Sequence, residues 1–297
     1  MIAARTSKRR SIAVAGLAML SALPWAGGCR DAVRSNEAHA RTSPAEKAWN
    51  ELQYNNFKKA AELFDALRPS TETGSAAWTR TTAGLAVSLH HRQPDVKGDK
   101  LRAAGLYEEL IENANDADTR RLAMLLRAGL AMELDFHGDE VDFETAERLY
   151  RRLMATDPPD RRSHEAALHL AQLRLLTRRT ADIRRGIKEL RDWLRQYPDN
   201  PLAALHWTLI ADVREKVFRD LPVAVDALEQ SVQAGLPPMT RMDSLYWRIA
   251  RMAETMGDGE TAMAYFRRIV TEEPRSGYGY ESQIHIRALG GDPPPLT

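Results

Sequence analysis

One pattern returns six times along this chain: a small residue, an aromatic residue or Leu four positions on, and a bulky residue three further. It reads Ala60–Phe64–Leu67, Ala103–Tyr107–Leu110, Ala146–Tyr150–Leu153, Gly186–Leu190–Trp193, Ala224–Leu228–Ser231 and Ala262–Phe266–Ile269. The small positions lie 43, 43, 40, 38 and 38 residues apart. In the fifth copy Ser231 breaks the pattern, and the adjacent Val232 is the expected core residue. Positions i, i+4 and i+7 share one face of a helix. A small residue there lets a neighbouring helix approach closely, and the large ones fill the space beyond it. One such helix cannot bury its face alone, so each needs a partner before and after it in sequence.

The partners are present. Residues 76–91, 118–134, 162–178, 202–217 and 240–256 carry apolar residues at three- and four-residue spacings. Residues 157–160 (DPPD), 197–201 (YPDNP) and 257–259 (GDG) cannot continue a helix. No stretch alternates apolar and polar residues with β-branched enrichment, as a half-buried strand requires. The expected fold class is all-α, with one helical-repeat domain over residues 44–289.

The last repeat resembles a tetratricopeptide repeat. Tyr246, Ile249, Ala250, Gly257, Ala262, Phe266 and Pro274 stand at that family's relative spacings. Pro158 and Pro198 follow the small residues of their own repeats at the same distance as Pro274 does, and Phe57, Phe143 and Ile183 precede theirs by three. The family's period is about 34 residues, and the extra residues here fall mainly inside a pair, at 90–100 and 135–144. Lys100 stands where an aromatic residue is expected. Longer helix-pair repeats of the Sel1-like kind also fit the early part. The resemblance implies a right-handed solenoid of about six helix–turn–helix repeats. It also implies that the first helix of each pair lines a groove for extended peptides or partner helices.

Those first helices carry Trp78, Arg80, His164, Trp207, Tyr246, Trp247, Arg248 and Arg251. Aromatic residues and Arg are the types that dominate interface energies. Helically spaced aromatics are also core residues, and Tyr246 matches a packing position of the family. Trp247, about 100° further round the helix, points toward the groove. Arg248 and Arg251, three apart on one face, either receive a partner's carboxylate or pair with Glu254 and other local acids.

The N-terminus gives an address. Arg5, Lys8, Arg9 and Arg10 precede an apolar run from Ile12 to Leu23, then Pro24 and the small residues Ala26, Gly27 and Gly28. This is the layout of a secretory signal peptide over residues 1–28. The run is shorter than the roughly 20 residues a membrane-spanning helix needs. Cys29 follows, the chain's single cysteine. The run Ala26–Gly27–Gly28–Cys29 resembles the lipobox of bacterial lipoproteins, with Ala26 where Leu is usual. Lipidation removes a thiol that has no disulfide partner in an exported chain. Ordinary cleavage near Gly28, with Cys29 unmodified, is the alternative, giving a soluble periplasmic or secreted protein. Arg30, where the resemblance would have Asp for inner-membrane retention, points to the outer membrane. Residues 29–43 then form a lipidated flexible tether, and residues 290–297 (GGDPPPLT) a disordered tail.

Loss of the four cations of residues 1–28 takes the formal net charge from +1 to −3. So nearly neutral a chain offers no general basic field for nucleic acid. Catalytic and metal patterns are absent. His164 and His169 are five apart, about 140° around a helix, where a zinc-protease helix needs i and i+4. The pair His90–His91, near Asp95 and Asp99, is read as helix-end polarity or as a metal site. The acidic loop Asp135, Asp139, Glu140, Asp142, Glu144 lacks calcium-loop spacing. The expectation is a non-enzymatic scaffold without cofactor. It holds another envelope protein or peptide, anchored to the membrane through lipid on Cys29 and possessing no nucleic-acid partner. Membership of an outer-membrane assembly complex is a narrower form of it. The alternatives are a helical-repeat cell-wall lytic enzyme, which needs a buried Glu of raised pKa, and a small-ligand or metal binder.

Overall fold

The computed structural model describes residues 43–94, 97–133, 141–237 and 240–296. The expected signal peptide, Cys29 and the expected tether up to residue 42 lie outside the described residues, as do Asp95, Asp135, Asp139 and Glu140. Among the described residues there are 13 α-helices and no strand. The first seven are α1 (Pro44–Gln53), α2 (Phe57–Leu67), α3 (Ala76–His91), α4 (Lys97–Asn113), α5 (Ala117–Met132), α6 (Phe143–Met154) and α7 (Arg161–Leu176). The rest are α8 (Thr180–Gln196), α9 (Ala203–Val213), α10 (Leu221–Gln233), α11 (Met242–Thr255), α12 (Gly259–Glu272) and α13 (Gly279–Ala288). The widened π turn Arg214–Phe218 extends α9.

Local chemistry sets many helix starts. The side chains of Ser43, Ser75, Asp116, Asp142, Asp160 and Asp258 each accept a backbone N–H from the first turn that follows. Those N–H groups have no partner inside the helix, so a short acceptor at the cap satisfies them. At α1 the cap is reciprocal, because Glu46 accepts from the Ser43 backbone while Ser43 accepts from Glu46.

Each helix packs on the next in series. From α1 to α7, odd-numbered helices also touch across the intervening one (α1 with α3, α3 with α5, α5 with α7), so they form the tighter layer. The sixfold pattern provides the core of the even-numbered helices. Ala60, Ala103, Ala146, Ala224 and Ala262 are completely buried, as are Phe64, Tyr107, Tyr150, Leu228 and Phe266. The core runs as two clusters that meet at α7, which gives Ala166, Leu170 and Leu173 to one and Ala167 and Ala171 to the other.

The fifth copy of the pattern corrects the expectation. Ser231 is completely buried and Val232 only partly. The Ser231 hydroxyl lies 2.9 Å from the Ala204 carbonyl and 2.9 Å from Thr208 Oγ1, joining α10 to α9. A buried hydroxyl so satisfied is compatible with a core. Ser231→Ala is expected to lower stability by about 1 kcal/mol, and an unchanged urea midpoint would contradict that.

The C-terminal tail has no regular secondary structure over residues 291–296. Residues 290–296 lie along α12 and α13. Gln283 Nε2 donates to the Pro294 carbonyl at 2.6 Å, and Arg267 donates to the Asp292 carbonyl at 3.4 Å. A Cβ on Gly279 would stand 3.0 Å from Leu296. Prolines cannot extend a helix, but their carbonyls still accept hydrogen bonds.

Candidate functional site

The residues singled out from sequence do not converge on one site. Trp78, near the N-terminus of α3, is 3% exposed and belongs to the first core cluster. Arg80 is exposed on α3. His164 is buried, and its Nδ1 accepts from Trp193 Nε1 at 3.0 Å. His169 stacks on Tyr150 instead (centroids 5.6 Å apart), so the two histidines serve different faces. Tyr246 is buried as expected, its hydroxyl donating to Glu272 at 2.9 Å beneath the Arg268 guanidinium.

Trp247, Arg248 and Arg251 are already engaged. Trp247 stacks on Tyr278 at 5.0 Å and meets Phe266 and His285 edge-on at 5.5 Å each. Arg248 reaches back to α9, to Asp212 Oδ1 at 2.6 Å and Glu215 Oε2 at 2.9 Å. Arg251 pairs with Glu254, which also holds His285 at 2.7 Å. Of the two readings open for these arginines, the geometry takes the intramolecular one.

Other polar groups in the core are tied to each other. His90 Nδ1 lies 3.1 Å from the Tyr107 hydroxyl, and its Nε2 lies 2.8 Å from Glu133 Oε1. Lys100 donates to the other Glu133 oxygen at 2.6 Å, which explains a lysine where an aromatic residue was expected. Burial pushes the Glu133 pKa up, but the hydrogen bonds and charges of His90 and Lys100 outweigh it and hold it at about 2. His91 stacks on His90 at 4.5 Å, and burial, then the His90 charge, lower its pKa. Among the described residues no three His, Cys, Asp or Glu side chains converge as a metal-holding group.

A second buried polar set spans α7 and α9. His206 Nε2 donates to the His164 carbonyl at 3.0 Å, and its Nδ1 accepts from Asn200 Nδ2 at 3.0 Å. Asn200 Oδ1 is fixed by the Leu202 N–H at 2.8 Å, which sets the orientation of the amide. Burial lowers the His206 pKa to about 4 against the opposing pull of the carbonyl. These bonds help close a seam that apolar packing leaves thin, since α8 touches α9 only slightly.

Beside that seam lies a cleft of about 530 Å³ between α8 and the end of α9 with its π turn. Arg184, Lys188, Arg191 and Arg195 line one wall, and Arg214 the other. Ile187, Trp207 and Phe218 supply apolar surface. Of the predicted residues, Trp207 alone reaches this cleft. The single lining carboxylate, Asp192, is taken by Lys188 at 2.8 Å and by Arg195, whose hydrogen bonds hold its pKa below the usual range. Arg184 and Arg214 flank the Phe218 ring, their Cζ atoms 5.4 and 5.6 Å from its centroid. Arg214 bonds Asp220 at 3.2 Å through Nη1, while its buried Nε has no hydrogen-bond partner.

Like charges three and four apart on a helix repel by a few tenths of a kcal/mol per pair. The neighbouring face of α8 is compensated, because Glu189 receives Arg185 at 3.0 Å and Arg151 at 3.2 Å. The cleft face is compensated only in part, by Asp192 with Lys188 and Arg195. Among the described residues Arg184 and Arg191 have no carboxylate partner. The arginine spacing was legible in the sequence. The near-neutral net charge hid it, because the cations are concentrated only when α8 and the π turn face each other. Compared with known proteins, the chain matches no family model and no curated sequence. No described helix is long and apolar enough to cross a membrane.

Proposed function

We propose that this chain is a non-enzymatic binding scaffold of the bacterial cell envelope, exported by residues 1–28 and anchored through lipid on Cys29. On this reading the helices form a right-handed solenoid of about six tetratricopeptide-like pairs, and a partner protein lies against their exposed faces. The observation that carries it is the serial packing of the helices, with the odd-numbered ones touching one another from α1 to α7. Such stacking generates an extended surface from short repeats, the architecture proteins use to hold other proteins.

Replacing Cys29 with Ser tests the anchor. The unaltered chain should incorporate labelled palmitate and sediment with membranes. The Cys29→Ser chain should do neither and appear in the soluble periplasmic fraction. Two acyl signals give stable anchoring where one chain is marginal, so the shift should be nearly complete. Photocrosslinking groups placed on exposed positions of the odd-numbered helices, Arg80 among them, test the scaffold. A single defined crosslinked partner is expected. A chain that crosslinks to nothing in cells from any of those positions removes the scaffold reading.

A further inference from the structure

We propose that the cleft between α8 and the π turn binds an acidic segment of a partner protein in extended form. The inference rests on the scaffold reading and names the chemistry of one of its contact surfaces. Arg184, Lys188, Arg191 and Arg195 are spaced i, i+4, i+7 and i+11, so they hold one face of α8 over roughly 16 Å. An extended peptide covers that length with about five residues. The cleft volume of about 530 Å³ suits such a segment and excludes a folded domain.

The charge imbalance points to an outside anion. Asp192 is the only carboxylate among the described lining residues, Lys188 and Arg195 already hold it, and Asp220 just outside holds Arg214. Arg184 and Arg191 remain exposed without an acid among the described residues. Across the gap Arg214 is held by Asp220 at 3.2 Å and its Nε is buried, so that wall adds a cation beside the row, while the exposed guanidinium groups of Arg184 and Arg191 are the ones that receive a carboxylate. The apolar surface between the walls selects the source of that anion. The partly exposed Trp207 and Phe218 accept an apolar or aromatic side chain, which an acidic peptide carries and a phosphate headgroup does not. A bilayer also presents its headgroups as a plane, whereas these cations line a concavity.

The test uses the full chain and a short fluorescein-labelled peptide rich in Asp and Glu around one Phe, read by fluorescence anisotropy. Its counterpart with Lys at every acidic position, and vesicles containing phosphatidylglycerol, are the comparison probes. The acidic peptide should bind, and binding should fall about tenfold or more between low and high salt. Arg184→Glu combined with Arg191→Glu should abolish it. Arg184→Gln with Arg191→Gln should weaken it about tenfold. Arg80→Glu should leave it unchanged. Both altered arginines are exposed, and matching thermal midpoints show that the fold is kept. Equal affinity for the charge-reversed chain, no binding of the acidic peptide, or binding of the vesicles in its place overturns the proposal. A cellular crosslink that survives Arg184→Glu/Arg191→Glu removes the cleft while leaving the scaffold standing. Arginine-dependent peptide binding with no cellular crosslink does the opposite.

Discussion

Gly84→Ala is expected to destabilise the protein by about 3 kcal/mol, the upper end of the cost of overpacking a core. A Cβ at Gly84 would stand 2.3 Å from Phe64 Cζ and 2.5 and 2.6 Å from its two Cε atoms. No relaxed structure tolerates such distances. Phe64 is completely buried and meets Trp49 edge-on, centroids 5.2 Å apart, so its ring cannot swing away. The substitution must instead push α3 off α2. Because α3 also packs on α4 and α5, the displacement is shared by several helices. Urea unfolding of the single and double variants checks the cause. Phe64→Leu alone should lower stability by about 1–2 kcal/mol through the void it leaves. Combined with Gly84→Ala it should cost clearly less than the sum of the two, since the new methyl then occupies that space. Additive losses would show that the contact is not what limits position 84.

The second large effect is a loss of stability in acid caused by His206. Its ring is fully buried and neutral, with Nε2–H on the His164 carbonyl and Nδ1 facing the Asn200 amide donor. Protonation puts a second N–H against that donor, and Asn200 cannot turn its oxygen round without losing the Leu202 N–H. The folded pKa of about 4 lies below the ordinary histidine value of 6.5. The unfolded chain therefore binds this proton first as pH falls. The contribution is complete above about pH 6.5, declines below it, and is gone below about pH 4. At about 1.4 kcal/mol per unit this is on the order of 3 kcal/mol. Urea midpoints measured between pH 7 and 4 should fall steeply in the unaltered chain. His206→Leu, though less stable at pH 7 because two buried partners lose their bonds, should show a flatter profile. Parallel profiles in the two chains would refute the assignment.

How much of this was legible in the sequence depends on how local each contact is. Helix starts were, because a cap lies within three residues of the N–H it serves, as Asp142 does to Thr145. So were the buried positions of the even-numbered helices, because Ala146, Tyr150 and Leu153 share a face by geometry alone. The repeated pattern does not place the flanking helices α1 and α13, although Ser43 and Glu46 carry the capping-box signature of the first. Hydrophobicity favours Val232 over Ser231, and only the packed helices place Thr208 and the Ala204 carbonyl opposite the Ser231 hydroxyl.

The candidate site was legible only in part. Trp207 was singled out on residue type and does line the cleft. Trp78 was singled out on the same ground and is core. Residue type does not distinguish the two, since an aromatic ring gains from burial either in its own core or under a partner. The pairing of Arg248 with Asp212 and Glu215 joins residues more than thirty positions apart. A local reading sees only Glu254.

The sequence by itself determined that the described chain is helical, where the capped helices begin, and which faces turn inward. These follow from a period of 3.6 residues and from capping bonds that close within one turn. Only the tertiary structure decided that Gly84 must yield space to Phe64, that His206 stays neutral between Asn200 and His164, and that Arg214 faces the arginine row of α8. Each of these joins different helices. Their strength depends on a few ångströms of distance and on exclusion of water, which the chain acquires only when the helices stack.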